Sequence, residues 1–313
     1  MGLRKRLKTL LDGRTTDKRR AKLFNRPSTG SLKLHQKADI GSDIAFISTY
    51  WSGGNALITP FLLGVELVEA GFSVVIIVTS DRPPNFDRIM KRLEGSGIPT
   101  SSFTIVLRAN IGKDFGGFKD AFHFFQAEIA GAERVFIGND SLIGPLFSSD
   151  YFQRLQDASQ GLWGATESFD RSYHLQSSHL LFVGRETVAC AQEFFRRYRF
   201  YRNRDNIVKY GEIGLSKWSL RQQFTIKAFY TMGALAQRKK FDIVQSKKKE
   251  FWLDANPQHF YFDALLDEGF PFVKRELLSV NPMQLREVYG RVFSRMEDLG
   301  QPLDTLFQHF RQI

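Results

Sequence analysis

The alternation of apolar runs and amphipathic stretches in the first half of the chain predicts an α/β fold. Four short apolar runs, each bounded by turn residues, are typical of strands: 43–49, 73–80, 102–108 and 134–138. Apolar positions at helical spacing lie between them: 62–67, 88–93 and 118–129. Strands that are apolar on both faces and alternate with helices indicate a mainly parallel sheet covered by helices.

The pattern changes on both sides of this region and predicts three parts. Residues 1–40 form a basic arm that is partly disordered or amphipathic, and residues 41–245 form the α/β domain. Beyond residue 150 the alternation loosens, and residues 246–313 are predicted to be a helical C-terminal extension packed on the core.

The positive charge of the chain is concentrated in the arm. Of a net charge of +11, residues 1–38 carry +10, from 12 lysines or arginines and two aspartates. The body is therefore nearly neutral, which argues against a nucleic-acid-binding domain, so no nucleic-acid partner is expected. The single cysteine, Cys190, excludes an intrachain disulfide and indicates a reducing compartment, so the chain is predicted to be cytoplasmic.

The arm has two interpretations that the sequence leaves open. Its leucines fall on one helical face with cations around them, which suits an anionic membrane surface: Leu3, Leu7, Leu10 and Leu11. The alternative is a solvated tail. No run of about 20 apolar residues indicates a spanning helix, and no apolar stretch follows the basic start as in a secretory signal.

The stretch RANIGKDFGGFKDAF, residues 108–122, contains the first candidate site. It joins a predicted strand to a predicted helix through three glycines and Asp114. A strand, a glycine-containing turn and a helix start together commonly hold phosphate. The spacing fits neither the G-x-G-x-x-G dinucleotide pattern nor the P-loop. On its own the stretch therefore indicates a site without defining the ligand.

The second candidate is Asp140, which follows the strand 134–138 and stands between Asn139 and Ser141. In an open parallel sheet, ligands bind beyond the carboxyl ends of the strands. A carboxylate in that place is suited to a divalent cation that bridges a diphosphate. The alternative is an aspartate that caps a turn.

Further polar candidates lie in the second half. Residues 161–186 bring Glu167, Asp170, His174, Gln176 and His179 near one another, and the five-residue separation of the two histidines on a strand argues against shared zinc ligation.

Glu212 stands just before a predicted helix. It is either a residue that favours the helix dipole or a general base directed into a cleft.

Taken together, five segments in this order resemble the rhamnan synthesis protein F family, glycosyltransferases of bacterial surface polysaccharides. The segments are RANIGKDFGGFKDAF, RVFIGNDSLIGP, GLWGATES with HLQSSHLLF, YGEIGLS and GFPFVKRELL, and they cover about residues 44–282. The resemblance implies a GT-A-like nucleotide-sugar fold for residues 41–245. It also implies transfer of a deoxyhexose, typically rhamnose from dTDP-rhamnose, to a surface polysaccharide or its lipid-linked precursor.

The resemblance also implies roles for individual residues. The reaction would be an inverting single displacement with Glu212 as the base, and Asp140 would serve catalysis and hold Mg²⁺ or Mn²⁺. Gly138 occupies the first position of the family fold's Asp-x-Asp pair, which puts metal dependence in question. Glu167, His174 and Gln176 would orient donor or acceptor. The remaining predicted donor-binding residues are Arg108, Asn110, Gly112, Asp114, Gly116, Gly117, Lys119, Asn139 and Ser141.

A lipid-linked glycan acceptor at the inner face of the cell membrane would account for the basic arm, with residues 1–38 on the anionic surface. Two alternatives remain at this stage. One is a transferase of the same fold that uses another nucleotide sugar. The other is a non-catalytic polysaccharide-assembly protein, for which Gly138 is the main argument.

Overall fold

The structure is a computed structural model. It describes residues 32–51, 58–81, 86–95, 97–238, 256–282, 285 and 287–300. The arm as far as residue 31, residues 239–255 and the last 13 residues lie outside this part of the chain. The predictions made for those segments therefore keep their standing as predictions.

A sheet of nine strands forms the centre of the described chain, in the order β1-β4-β3-β2-β5-β9-β7-β10, with β8 paired to β7. A separate pair joins β6 to β11. The strands are β1 Lys33–Gln36, β2 Asp43–Tyr50, β3 Ser73–Ser80, β4 Phe103–Ala109, β5 Arg134–Asn139, β6 Leu142–Ile143, β7 Gly161–Ser168, β8 His174–Leu175, β9 His179–Val183, β10 Ile226–Tyr230 and β11 Val273–Lys274.

Helices cover both faces of the sheet and form most of the C-terminal part. They are α1 Ile58–Glu69, α2 Phe86–Gly95, α3 Lys113–Phe124, α4 Gln126–Ala130, α5 Tyr151–Gln156, α6 Arg185–Arg197, α7 Arg204–Ile207, α8 Ile213–Arg221, α9 Met232–Arg238, α10 Pro257–Phe260, α11 Phe262–Asp267, α12 Arg275–Ser279 and α13 Val288–Asp298. A short π-helical turn, Val208–Glu212, connects α7 to α8.

Strand direction sets the position of the site. Strands β2 to β5 are mutually parallel, β9 runs antiparallel to both β5 and β7, and β10 is parallel to β7. The carboxyl ends of six strands therefore meet at one edge of the sheet. This confirms the predicted α/β fold with a mainly parallel sheet, and it adds the reversed strand β9, which the apolar pattern did not predict.

The alternation of side chains in the central strands builds a core on each face of the sheet. Ala45 and Ile47 of β2 pack with α1, whereas Ile44 and Phe46 pack with α3. All four are fully buried, as a strand between two helical layers requires. Each buried large apolar side chain contributes about 1.5–3 kcal/mol relative to exposure.

The edge strand β1 differs from the prediction for the arm. Lys33–Gln36 pairs antiparallel with β4, and the Gln36 side chain donates to the carbonyls of Thr100 at 2.6 Å and Phe103 at 3.0 Å. From the sequence, residues 33–36 were predicted to belong to the basic arm, whereas the structure places them in the sheet. Among the described residues, no helix has the length and apolar character needed to cross a bilayer.

The C-terminal part packs on the sheet domain, and two of its contacts bring it to the site. Phe270 and Phe272 join the core around Tyr151, which is fully buried. Strand β11 pairs antiparallel with β6, directly after the end of β5. This pairing brings Lys274 and the residues around it to the edge where the parallel strands end.

Candidate functional site

A cleft opens at the carboxyl ends of the parallel strands and has two connected chambers. The first, of about 480 Å³, is lined by residues that end four neighbouring strands: Ser48, Thr49 and Tyr50 from β2, Thr79 from β3, Asn110 after β4, and Asn139, Asp140 and Ser141 at β5. Lys113 and Asp114 at the start of α3 complete it. Adjacent parallel strands end together, which explains why segments distant in sequence line one space.

The second chamber, of about 550 Å³, shares Lys113, Asp114, Asn139 and Ser141 with the first. Its other walls come from the end of β7 and β8, from the π-helical turn before α8, and from the C-terminal part. The shared residues make the two spaces one cleft. A π-helical turn beside a cleft is a frequent feature of functional sites.

Asp140 lies at the floor of the first chamber, where β5 ends. Its Oδ2 accepts hydrogen bonds from Thr49 Oγ1 at 3.1 Å and from the Tyr50 amide at 2.9 Å. The Arg275 guanidinium approaches the same oxygen at 3.9 Å. The carboxylate is therefore fixed by β2 and faces a cation from the C-terminal part.

Asp114 separates the two chambers at the first turn of α3. Its carboxylate accepts from its neighbour's amide, Phe115 N, at 2.9 Å and from the Asn139 side chain at 2.8 Å. Burial raises the pKa of Asp114, and the nearby Asp140 charge adds to this, while the two hydrogen bonds oppose it. Gly112 and Lys113 both adopt left-handed φ, 75° and 54°, which turns the chain from the strand end into the helix.

Glu212 and His174 face each other in the second chamber. Glu212 Oε2 lies 3.9 Å from His174 Nε2, while His174 Nδ1 is 2.8 Å from the Ser172 carbonyl, to which it donates. Burial raises the pKa of Glu212, and the Asp114 carboxylate acts in the same direction. His174, Lys274 and a hydrogen bond from Ser177 lower it in part. A carboxylate with a raised pKa beside an open space is suited to accept a proton near neutral pH.

Lys274 is a site residue that the sequence analysis missed. Its ammonium donates to Ser141 Oγ at 2.9 Å and to Gln258 Oε1 at 3.3 Å, and it lines the second chamber. Burial lowers the pKa of Lys274, while Glu212 and Glu276 act to raise it. The only sequence signal was the segment GFPFVKRELL, in which a lysine follows an apolar run; nothing in that pattern indicated that β11 reaches β6.

The structure brings most of the predicted site residues to this cleft. In the first chamber or at the boundary are Asn110, Asp114, Asn139, Asp140 and Ser141, and in the second are His174, Gln176 and Glu212. Gln176 is buried and accepts from Thr166 Oγ1 at 2.7 Å. The roles assigned to these residues remain predictions.

Three of the predicted charged site residues do not line the cleft: Arg108, Lys119 and Glu167. Arg108 is fully buried, and its guanidinium forms a salt bridge with Asp120 of α3 at 2.8 Å. This contact holds the guanidinium in the core and away from the cleft. Lys119 donates to the carbonyls of Phe195 at 3.0 Å and Arg196 at 2.9 Å in the last turn of α6, and burial lowers its pKa to about 8.

Glu167 accepts from the Met232 amide at 3.0 Å, at the start of α9. Side chains alternate along a strand, so Glu167 and its neighbour Ser168, which does line the second chamber, point to different sides.

The three predicted donor-binding glycines have packing roles within the protein. A Cβ on Gly116 would lie 2.0 Å from the Ile111 carbonyl oxygen, and one on Gly117 would lie 2.9 Å from Ser48 Oγ. Gly112 precedes the helix with positive φ and lies against Phe200. The glycines therefore allow α3 to begin early and to pack closely on β2. From the sequence, these glycines were predicted to let the backbone come close to a bound nucleotide.

The donor set at Asp140 does not fit a dedicated divalent-cation site. Mg²⁺ takes near-octahedral oxygen coordination, and Ca²⁺ takes more ligands. Within the described residues no group of three acidic, histidine or cysteine side chains converges in a way that would hold a metal ion. The near carboxylates Asp114 and Asp140 already accept hydrogen bonds from the protein. A Cβ on Gly138 would lie 2.9 Å from Phe136 and 3.3 Å from His179, so this position faces the buried aromatic layer.

Comparison with known proteins identifies relatives of the chain. A family model described as RgpF, rhamnan synthesis protein F, matches residues 100–311. Virulence protein VirA of Vibrio anguillarum is 28% identical over 204 residues, covering 59% of this chain and 65% of VirA. The uncharacterized protein y4gN of Sinorhizobium fredii is 26% identical over 212 residues, covering 65% of this chain and 52% of that protein. The chain thus spans between half and two thirds of these relatives.

Among solved structures, the apo structure of the bifunctional glycosyltransferase WbbM aligns with 88% of this chain and 53% of its own, at 10% identity and a TM-score of 0.39. A mannosyltransferase, PcManGT from Pyrobaculum calidifontis, determined in complex with GDP-Man and Mn²⁺, aligns with 87% of this chain and 81% of its own. Its identity is 12% and its TM-score 0.28.

Proposed function

The chain belongs to the rhamnan synthesis protein F family, a glycosyltransferase-like family for polysaccharide synthesis, and we propose that it transfers a sugar from a nucleotide-sugar donor to a growing glycan. The proposed donor is dTDP-rhamnose and the proposed fold of the sheet domain is GT-A-like. The observation that carries the proposal is the cleft at the strand ends, where Glu212 and Asp140 face two connected chambers.

The shape of the cleft supports the proposal that its two chambers bind different parts of the substrates. The first chamber lies over the ends of β2 to β5, where open parallel sheets bind their ligands, and is proposed to hold the nucleotide. The second contains Glu212, His174 and Gln176 and is proposed to hold the donor sugar and the acceptor. The anomeric carbon would then lie near the boundary formed by Asp114 and Asn139.

The proposed reaction is an inverting single displacement. The acceptor hydroxyl oxygen attacks the anomeric carbon, the bond from that carbon to the phosphate oxygen breaks, and the electron pair leaves with the nucleoside diphosphate. The hydroxyl proton passes to the Glu212 carboxylate. Positioning such a base contributes typically 10²–10⁴-fold. His174, whose tautomer is fixed by the Ser172 carbonyl, would hold the acceptor or donor beside Glu212.

The Mg²⁺ or Mn²⁺ predicted from the sequence has no step in this mechanism, because, in the part of the chain that the structure describes, no group of three acidic, histidine or cysteine side chains that could hold it includes Asp140. The proposed acceptor is a glycan or a lipid-linked glycan at the inner face of the membrane. Residues 1–31, outside the described chain, would attach the enzyme there through their cations.

The proposal is tested by offering the purified chain a panel of nucleotide sugars that includes dTDP-rhamnose. Two readouts are taken: the shift in melting temperature and the release of nucleoside diphosphate with rhamnose-containing acceptors. A ligand that binds the folded state alone raises its apparent stability. We expect dTDP-rhamnose to raise the melting temperature and to be consumed. If the chain responds to a different nucleotide sugar, that sugar replaces dTDP-rhamnose as the proposed donor. No response to any donor in either readout would favour the non-catalytic assembly protein.

A further inference from the structure

Two consecutive cations of the C-terminal part, Lys274 and Arg275, lie beside Ser141 and Asp140, which directly follow β5. The Lys274 ammonium donates to Ser141 Oγ at 2.9 Å, and the Arg275 guanidinium lies 3.9 Å from Asp140 Oδ2. The backbone fixes this arrangement, since the Arg275 amide donates to the Ser141 carbonyl at 2.9 Å and β11 pairs with β6. Lys274 is therefore held against Ser141, which lines both chambers, and Arg275 is held beside Asp140, which lines the first.

In the described chain, neither acceptor that is hydrogen-bonded to the Lys274 ammonium carries a negative charge. Its acceptors are a hydroxyl, on Ser141, and a side-chain amide carbonyl, on Gln258, both of which are uncharged. Placing a cation in a partly buried position carries a desolvation cost, which a bound anion offsets. Burial lowers the pKa of Lys274, and the nearby Glu212 carboxylate opposes this effect. Lys274 is thus held so that an anion in the cleft meets its positive charge.

The Arg275 side chain is also available to a ligand. Its distance of 3.9 Å from Asp140 is that of an ion pair without a hydrogen bond, and 27% of the side chain is exposed. A guanidinium presents several N–H groups in a planar fork that matches phosphate oxygens. An anion between Arg275 and Lys274 would take these donors while Asp140 kept its hydrogen bonds to Thr49 and Tyr50.

We propose that Lys274 and Arg275 bind the diphosphate of the donor and supply the positive charge that a divalent cation would otherwise supply. This inference rests on the proposed function, because that reaction releases a nucleoside diphosphate carrying one more negative charge than it had in the donor. Five carboxylates line the same cleft and would repel this anion: Asp114, Asp140, Asp170, Asp205 and Glu212. The two cations offset that repulsion and stabilise the bond cleavage as charge develops on the phosphate oxygen.

The test measures binding by calorimetry of dTDP, UDP, GDP and inorganic pyrophosphate to the full chain in EDTA, and then with Mg²⁺ or Mn²⁺. The variants are Lys274→Met, Lys274→Arg and Arg275→Gln. Two matched controls remove the same charges elsewhere: Lys227→Met, at an exposed strand position over Trp163, and Arg291→Gln, which pairs with Asp263 at 2.9 Å. Melting curves verify that each variant is folded.

We expect the wild type to bind a nucleoside diphosphate or pyrophosphate in EDTA. Lys274→Met and Arg275→Gln should each weaken this binding roughly 10- to 100-fold, the range for a lost hydrogen bond to a charged group. Lys274→Arg and both controls should bind within about threefold of wild type. Should Lys274→Met not fold, Arg275→Gln and Lys274→Arg still decide the question.

The outcomes separate this inference from the proposed function. Wild-type nucleotide binding that both charge-removing variants retain, or that appears only with added metal, overturns the inference and leaves the transferase intact. Weakened pyrophosphate binding in those variants supports the phosphate site even if no donor sugar in the panel is turned over. A wild type that binds neither pyrophosphate nor any nucleoside diphosphate overturns both.

Discussion

Replacing Glu212 with glutamine tests the chemical step most directly. Glutamine keeps the size of the side chain and removes its ability to accept a proton. Since positioned general bases contribute typically 10²–10⁴-fold, turnover should fall by that factor, or about 2.7–5.4 kcal/mol in the activation barrier. Donor affinity should stay near wild type, because glutamine preserves the size of the side chain beside the donor sugar, and the chamber proposed to hold the nucleotide does not include Glu212.

Glu212→Asp separates charge from position. Aspartate keeps the carboxylate and withdraws it by one methylene, and a misplacement of about 1 Å can cost roughly 100-fold. The control is Glu133→Gln, which removes an exposed carboxylate paired with Arg185 at the opposite edge of the sheet. It should leave turnover within about twofold of wild type.

The pH profile gives an independent measure of the same base. Burial raises the pKa of Glu212 above its ordinary value of 4.5, and only the ionised form accepts a proton. Wild-type kcat/KM should therefore fall as pH is lowered through a value above 4.5. The groups that face Glu212 and set this value are His174, Asp114, Lys274 and Ser177. Wild-type turnover in Glu212→Gln, with unchanged melting temperature, would remove Glu212 from the mechanism.

Asp140→Ala should fold and lose roughly 100-fold in transfer, because Asp140 positions Arg275 at the strand ends and a misplacement of about 1 Å can cost that factor; wild-type turnover would remove it from the site. Asp114→Asn should weaken donor binding about tenfold by calorimetry with little change in melting temperature, and a collapse of stability at unchanged affinity would make its role structural. Arg108→Gln should instead lower the free energy of unfolding by about 3–5 kcal/mol, because it removes the cation from a buried ion pair; the measurement is denaturant unfolding, and reduced donor affinity at unchanged stability would contradict it. A shortened chain that begins at Leu32, which preserves β1, should bind donor yet no longer co-sediment with phosphatidylglycerol vesicles at low salt, whereas the full chain should; equal behaviour of the two would dismiss membrane attachment.

The parallel half of the fold was predictable because its signal is local. Apolar runs such as 73–80 alternate with helical stretches, and each strand end can be placed to within a few residues. The same logic located Asn139, Asp140 and Asp114, since carboxyl ends of parallel strands share an edge. The position of Glu212 before a helix indicated two roles, a residue that favours the helix dipole or a general base. The sequence could not choose between them, because it does not show which side chains line the cleft.

The remainder depended on contacts between distant segments. The family resemblance implied that Arg108 binds the donor, yet Asp120, 12 residues later on α3, holds its side chain in the core. Lys274 reaches Ser141 across 133 residues, and no periodicity records that pairing. The glycines of α3 looked like a nucleotide loop because close helix packing and close ligand approach both require a missing side chain.

The pairing of β6 with β11 has a consequence for the order in which the protein becomes competent during its synthesis. The segments that form β2 to β5 and line the first chamber are complete once residue 141 has been translated, and they are mostly neighbours in sequence, which form early. The wall that contains Gln258 and Lys274 is added more than a hundred residues later. A nascent chain halted before β11 therefore presents its strand ends open to solvent, without the cations that close the second chamber. The proposed sugar transfer would accordingly require that the C-terminal part has left the ribosome and docked.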